Sequence, residues 1–298
     1  MLPVNKIICG AMPGATKIFP DGYFNCSISS PPYWALRDYG VDGQLGLEPT
    51  FEEYIEKLCD IYDEVKRVLR DDGTCWVNLG DTYNAGRSGG WAGGKHGMSK
   101  PENSPNQSGV NAKNLPAKSL CLIPQRFAIE MVNRGWILRN VIIWHKPNPM
   151  PSSAKDRFTV DFEYVYFFVK SKKYWFEPQY EPHTRDWNKE KWTHDSKEER
   201  KRKNKAHSLQ AISGSKTLAD SWNPLGRNKR CVWTIPTQPY PEAHFATFPE
   251  KLVEPMIKAG CPEFVCTKCG KAREKIYEPS PEYAEKLGNS IYRYKKGG

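Results

Sequence analysis

The sequence predicts an α/β protein, a mostly parallel sheet with crossover helices on both faces. Three observations carry this. Short apolar runs (YFNCSIS, TCWVNLGD, WILRNVIIWHK and FTVDFEYVYFFVK) read as strands. Segments with helical 3–4 spacing fall between the early runs, as parallel crossovers require. The 298 residues are enough for one large domain or two modest ones with a sizeable core.

From the N-terminus, KIICG (6–10) reads as a strand, PDG (20–22) as a turn and YFNCSIS (23–29) as a second strand that stops before Pro31. Residues 50–70 form the clearest helix, with Phe51, Tyr54, Ile55, Leu58, Ile61, Tyr62, Val65, Val68 and Leu69 on one face. Thr50 and Glu53 make a capping box, and Lys66, Arg67 and Arg70 sit at the negative end of the helix dipole. Asp71-Asp72-Gly73 is expected to end it, and residues 74–81 follow as a buried strand with a polar end. Residues 84–118 lack periodicity and are rich in Gly, Ser, Asn and Lys, a long loop. Its Gly89…Gly94-Lys95 resembles a phosphate-binding loop, but His96 replaces the required hydroxyl residue and no strand and helix flank it. A second helix runs from Pro124 to Gly135. Strands at 136–146 and 158–170 flank a proline-rich linker, 147–157. From 171 the chain turns polar, with KEERKRKNK at 197–205. Residues 233–245 are extended, 248–260 form a short helix, and 261–298 carry a cysteine cluster.

Composition narrows the class. No apolar run approaches the roughly 18–20 residues of a spanning helix, so no membrane partner is expected. The N-terminus has no charged region followed by an apolar one, which predicts a cytoplasmic protein. Of nine cysteines, Cys9, Cys26, Cys59, Cys75, Cys121 and Cys231 are isolated and read as buried reduced thiols. The net charge of +10, with Trp and Tyr interleaved among Lys and Arg, suits a polyanion.

In parallel α/β sheets, ligands bind beyond the carboxyl ends of the strands. Ser29–Tyr33 and Asn78–Asp81 both lie at such ends. There the residues Ser30-Pro31-Pro32-Tyr33 resemble the catalytic motif of DNA amino-methyltransferases, Asp/Asn/Ser-Pro-Pro-Tyr/Phe. The resemblance extends through Trp34, Leu36-Arg37-Asp38-Tyr39-Gly40, Gly46-Leu47-Glu48 and Asn78-Leu79-Gly80-Asp81. It continues in Gly135-Trp136, Trp144, Lys146-Pro147-Asn148 and His244-Phe245-Ala246-Thr247-Phe248-Pro249. It covers about residues 5–270, in the order of the class whose catalytic half precedes its cofactor half.

The resemblance implies a Rossmann-like methyltransferase sheet and methyl transfer from S-adenosylmethionine to an exocyclic amine of a base flipped from double-stranded DNA. Its Ser-Pro-Pro-Tyr members are mostly N4-cytosine enzymes, so cytosine is expected ahead of adenine. The chemistry fits the residue types. An exocyclic amine is a poor nucleophile because its lone pair is delocalised. Acceptors aimed at its N–H groups free that lone pair, and proline offers only an acceptor. The Ser30 hydroxyl and Pro31 carbonyl are the candidate acceptors; Pro32 stiffens the corner and Tyr33 stacks on the flipped base. Ser29, Asn78, Asp81, Phe248 and Pro249 are candidates for the cofactor side.

By the same resemblance, residues 1–170 are the catalytic half, 171–232 a target-recognition insertion, 233–260 a return helix and 261–298 a partial zinc-ribbon-like tail. Arg185, Lys189, Lys191, Arg200, Lys201, Arg202 and Lys203 are candidates for phosphate contact. Cys266-x-x-Cys269 is half of a zinc knuckle, and Cys261 could supply a third ligand where a structural zinc needs four. The class continues from its Phe-Pro helix into Asp-Pro-Phe-x-Gly-Ser-Gly, which holds the cofactor's methionine part. No such run follows residue 260. Two expectations follow: the chain is a truncated or split enzyme, or a second chain or a homodimer completes the cofactor site. The rival expectation is a non-catalytic DNA-binding protein or one subunit of a split enzyme.

Overall fold

The computed structural model describes residues 5–36, 38–84, 112, 114–183, 225–240 and 247–273. The chain divides into two compact units, 1–261 and 262–298. In the first unit, after a short 3-10 turn at Gly14–Thr16, the described elements are β1 (Phe24–Ser29), α1 (Phe51–Val68), β2 (Leu69–Leu79), α2 (Ile123–Asn133), β3 (Ile137–His145), β4 (Phe162–Val169), β5 (Tyr180–Glu181), β6 (Arg227–Asn228), β7 (Val232–Thr234) and α3 (Glu250–Gly260). Among these residues no helix is long and apolar enough to cross a membrane.

The main sheet has the order β1-β2-β4-β3-β7. β1 and β2 are parallel, as are β3 and β7, whereas β4 is antiparallel to both of its neighbours. The sheet is therefore mixed, a correction to the mostly parallel expectation. The cause is local: the irregular link between β3 and β4 contains no crossover helix, so the two strands pair as antiparallel neighbours. The reversal has a functional consequence, because the start of β4 comes to the edge where β1, β2, β3 and β7 end.

Helices cover both faces of the sheet. On one face α1 and α2 bury Tyr54, Leu58, Phe127 and Met131 against Cys75, Val77, Leu79, Tyr166 and Phe168. On the other, α3 buries Leu252, Met256 and Ala259 against Trp76, Val165, Phe167, Val169 and Trp233. The odd–even split along β2 is the strand's own two-residue period. Both faces are covered, so β2 and β4 read as nearly continuous apolar runs rather than alternating ones.

α1 starts as its sequence dictates, with the Thr50 hydroxyl accepting from the Glu53 N–H at 3.2 Å. Its end differs from expectation. The chain turns extended at Leu69, which pairs with Phe24, and β2 runs through Asp71-Asp72-Gly73 as an irregular strand. Gly73 fits because a Cβ there would come within 2.9 Å of the Asn25 carbonyl oxygen. Residues 6–10 form no strand, and Ile7 and Cys9 are exposed; an isolated strand without a pairing partner has little to hold it. Cys59, Cys75 and Cys121 are buried free thiols, but Cys9 and Cys231 are exposed, against the sequence reading.

β5 and β6 form a separate antiparallel ribbon, Tyr180 opposite Asn228 and Glu181 opposite Arg227. Glu181 binds Arg227 at 2.8 Å and Arg230 at 2.7 Å. The basic segment between them thus leaves and returns at adjoining positions. In the second unit, Val265 bridges to Ala272. Cys266 begins a tight turn in which the Gly270 N–H donates to the Cys266 carbonyl at 2.8 Å.

Candidate active site

The Ser30–Tyr33 corner follows directly from the carboxyl end of β1, and three contacts fix it. The Tyr54 hydroxyl of α1 donates to the Pro32 carbonyl at 2.8 Å. The Trp34 indole, buried against Phe51, donates to the Glu48 carbonyl at 2.9 Å. The Ala35 N–H donates to the Gly46 carbonyl at 2.7 Å. Gly46 has φ +99°, and a Cβ there would lie 2.9 Å from the Tyr33 carbonyl oxygen, so only glycine suits this close approach. Among the described residues no donor is bonded to the Pro31 carbonyl. Of the two proline carbonyls, Pro32 is engaged and Pro31 is available.

Tyr33 is held at both ends. Its ring lies on the backbone of Gly80, where a Cβ would come within 2.6 Å of the ring. Its hydroxyl donates to Glu163 Oε2 at 2.6 Å, with Asn78 Oδ1 at 3.2 Å. Asn78 in turn donates to Glu163 Oε2 at 3.0 Å and to the Tyr164 carbonyl at 3.1 Å. Lys146 completes the group, with its ammonium paired to Glu163 Oε1 and lying 4.5 Å from the centre of the Trp144 ring. Burial, reinforced by the neighbouring Glu163 charge, pushes the Tyr33 hydroxyl well above its ordinary pKa; a Ser30 hydrogen bond partly opposes this.

A cavity of about 830 Å³ opens over this group, with Ser30, Pro31, Pro32, Tyr33, Asn78 and Glu163 in its wall. A smaller one of about 400 Å³ is lined by Phe248, Pro249, Glu250, Tyr240 and Gln238. Ser30, Gln238, Thr247 and Phe248 belong to both walls. Two bound groups, one in each cavity, would therefore meet beside Ser30.

The expected cofactor-side residues divide. Phe248 and Pro249 line the smaller cavity. Asn78 lines the larger one. Ser29 faces a third cavity beyond β1, its hydroxyl 2.8 Å from that of Tyr62. Asp81 lines none of the three: its carboxylate accepts the N–H groups of Thr82 at 2.9 Å and of Leu122 and Ile123 at 3.1 Å, capping α2. Burial raises its pKa and those N–H groups partly oppose the rise. The seven basic candidates, Arg185, Lys189, Lys191, Arg200, Lys201, Arg202 and Lys203, lie outside the described residues, as does the glycine loop at 89–95. Among the described residues no three His, Cys, Asp or Glu side chains are grouped to hold a metal, so the zinc expectation on Cys261, Cys266 and Cys269 finds no ligand set.

Sequence reading missed Glu163, and with it the anchoring roles of Lys146, Tyr54 and Gly80. Glu163 did leave a signal. It is an acidic residue inside the apolar run of β4, and a charge in a covered strand needs a partner or a task.

Known proteins resemble this chain. A family model described as DNA methylase, for N6 and N4 methyltransferases, matches residues 24–265. The Type II methyltransferase M.Cfr9I of Citrobacter freundii is 38% identical over 240 residues, 80% of this chain and 67% of that protein. M.SmaI of Serratia marcescens is 36% identical over 259 residues, 86% of this chain and 75% of that protein. Among solved structures, the PvuII cytosine-N4-specific DNA methyltransferase superposes with a TM-score of 0.48 at 18% identity, covering 84% of this chain and 68% of that one.

Proposed function

The chain belongs to the N6/N4 DNA methylase family, S-adenosylmethionine-dependent DNA methyltransferases, and we propose that it methylates an exocyclic base amine, cytosine N4 ahead of adenine N6. The observation that carries this is the pairing at the corner of an available Pro31 carbonyl with the Ser30 hydroxyl, on the wall shared by two cavities.

The larger cavity takes the flipped base, and Tyr33 gives it a flat face. The two acceptors engage its amine N–H groups and free the nitrogen lone pair. The corner that carries both is held in advance by Tyr54, Trp34 and Gly46, so little backbone reorganisation accompanies the reaction. S-adenosylmethionine, when bound, supplies a methyl group on a cationic sulfur. The smaller cavity fits that donor in kind: Phe248 offers an apolar face, Gln238 and Glu250 offer polar groups, and it meets the larger one beside Ser30. Once methylated, the nitrogen sheds one proton and returns to neutrality.

The preference for cytosine rests on Ser30, which stands where the family's adenine enzymes mostly carry Asp. Arg185, Lys189, Lys191 and Arg200–Lys203 are assigned to the DNA backbone, consistent with the net charge of +10.

The test is methyl transfer by this chain. It is incubated with methyl-labelled S-adenosylmethionine and unmethylated genomic DNA, and the DNA is digested to nucleosides. Labelled N4-methylcytosine is expected. Labelled N6-methyladenine keeps the mechanism and overturns the base assignment. DNA binding without label overturns the enzyme reading in favour of a DNA-binding protein or one subunit of a split methyltransferase.

A further inference from the structure

Glu163 touches three of the groups that shape the base cavity. Its carboxylate accepts from Tyr33 at 2.6 Å and from Asn78 at 3.0 Å, and it pairs with Lys146. These partners come from different places along the carboxyl edge: Tyr33 follows β1, Asn78 belongs to β2 and Lys146 follows β3. Glu163 itself lies at the start of the reversed β4, opposite Trp144 of β3. We propose that Glu163 is the positioning residue of the base pocket, setting Tyr33 and Lys146 in their working orientation. This rests on the function proposed above.

The physical case has three parts. First, Tyr33 has one hydroxyl proton and two acceptors in reach. The 2.6 Å contact to a carboxylate outcompetes the 3.2 Å contact to an amide oxygen. That fixes the hydroxyl end of the ring, and Gly80 fixes its face. Second, Lys146 and Glu163 are each only 19% exposed at the side chain. A partly buried ammonium needs its counter-charge, and the pair presents no net charge to a neutral base. Third, a carboxylate offers about four lone-pair sites. Three donors can therefore be served at once, which an amide in the same place cannot do.

That last point supplies the variant. Glu163→Gln keeps shape and size but has one acceptor oxygen and an NH2 group, so at least one of the three donors faces another donor. Methyl transfer to genomic DNA from a methylation-free strain is measured for the parent, Glu163→Gln, Tyr33→Phe and the double variant. The expected result for Glu163→Gln is a fall in kcat of about 10- to 100-fold, the scale of a misplaced reacting group. KM for DNA and for S-adenosylmethionine should stay within about threefold, since a positioning role is exercised after binding. The double variant should be no slower than the slower single one, because both changes disturb the same Tyr33–Glu163–Lys146 network. If Glu163→Gln lowers the thermal midpoint, Tyr33→Phe decides alone: it removes the Tyr33 contact to Glu163 directly, and a fall in kcat of about tenfold or more is expected.

Parental kcat in Glu163→Gln overturns the proposal, as does a double-variant loss equal to the product of the single losses. A rise in KM for DNA at unchanged kcat does so too, because it assigns Glu163 to binding. If the parent labels no base, the methyltransferase reading fails and this proposal fails with it. An active parent with an indifferent Glu163→Gln defeats the positioning role alone.

Discussion

Ser30 and Tyr33 share a corner but respond differently to truncation. Ser30→Ala removes one of two acceptors and the Ser30 hydrogen bond to the Tyr33 hydroxyl, but leaves the contacts through Pro32, Trp34 and Ala35 that hold the corner's backbone. A loss of about 10²-fold in kcat with an unchanged melting temperature is expected, by analogy with deleting one preorganised hydrogen-bond partner. Steady-state methyl transfer beside a thermal melt checks it. Tyr33 also bears on stability. Burial raises the pKa of Tyr33, Tyr54 and Tyr62 above the ordinary value of 10.0. Above that value the unfolded chain releases these protons while the folded chain keeps them, so the folded state holds more protons and stability falls as pH rises. Urea unfolding at pH 9 and pH 11 should show lower stability at pH 11. Tyr62→Phe should flatten that dependence; an unchanged slope would place the alkaline loss elsewhere.

At the scale of elements, two glycines place the site. Gly260 ends α3 against the sheet, where the Thr74 hydroxyl donates to its carbonyl at 2.8 Å. A Cβ there would fall 2.3 Å from Thr74 Oγ1 and 2.5 Å from Trp76 Nε1, both buried. Gly260→Ala is therefore expected to destabilise by about 1–3 kcal/mol, the range for overpacking a close-fitted site; denaturant titration measures this. Gly80→Ala should act differently. Its Cβ meets the Tyr33 ring at 2.6 Å, so the ring must move off its seat. A fall of about tenfold or more in kcat is expected, with a smaller change in stability than for Gly260→Ala. The converse ranking in stability would mean that the Tyr33 ring cannot move off its seat to relieve the clash.

For the whole molecule, charge and topology divide the work. The sheet gathers four strand ends and the start of β4 at one edge, which makes the site. The ribbon of β5 and β6 brackets the basic segment, whose charge suits DNA phosphates. Phosphate contacts release counterions, so binding weakens with salt at about 0.9 log units per contact per tenfold change in salt. Alanine at Arg200, Lys201, Arg202 and Lys203 together should reduce the salt slope of DNA binding by about 3–4. Fluorescence anisotropy across a salt series measures it. An unchanged slope would remove these residues from the DNA contact.

The local elements and the candidate corner were legible in the sequence. The 3–4 spacing and Thr50 cap specify α1, because a helix reports its buried face in its own period. Ser30-Pro31-Pro32-Tyr33 stands out as a candidate acceptor corner because proline's missing donor is a property of the residue. Tertiary structure alone decided which groups meet there. Asn78 and Asp81 sit three residues apart at the same strand end; one joins the wall of the larger cavity and the other caps α2, because strand alternation and the entry to α2 send them to different partners. Glu163 lies 130 residues from Tyr33 in sequence. It reaches that tyrosine only because β4 runs backwards between β2 and β3. That pairing depends on strand order, which no local pattern encodes.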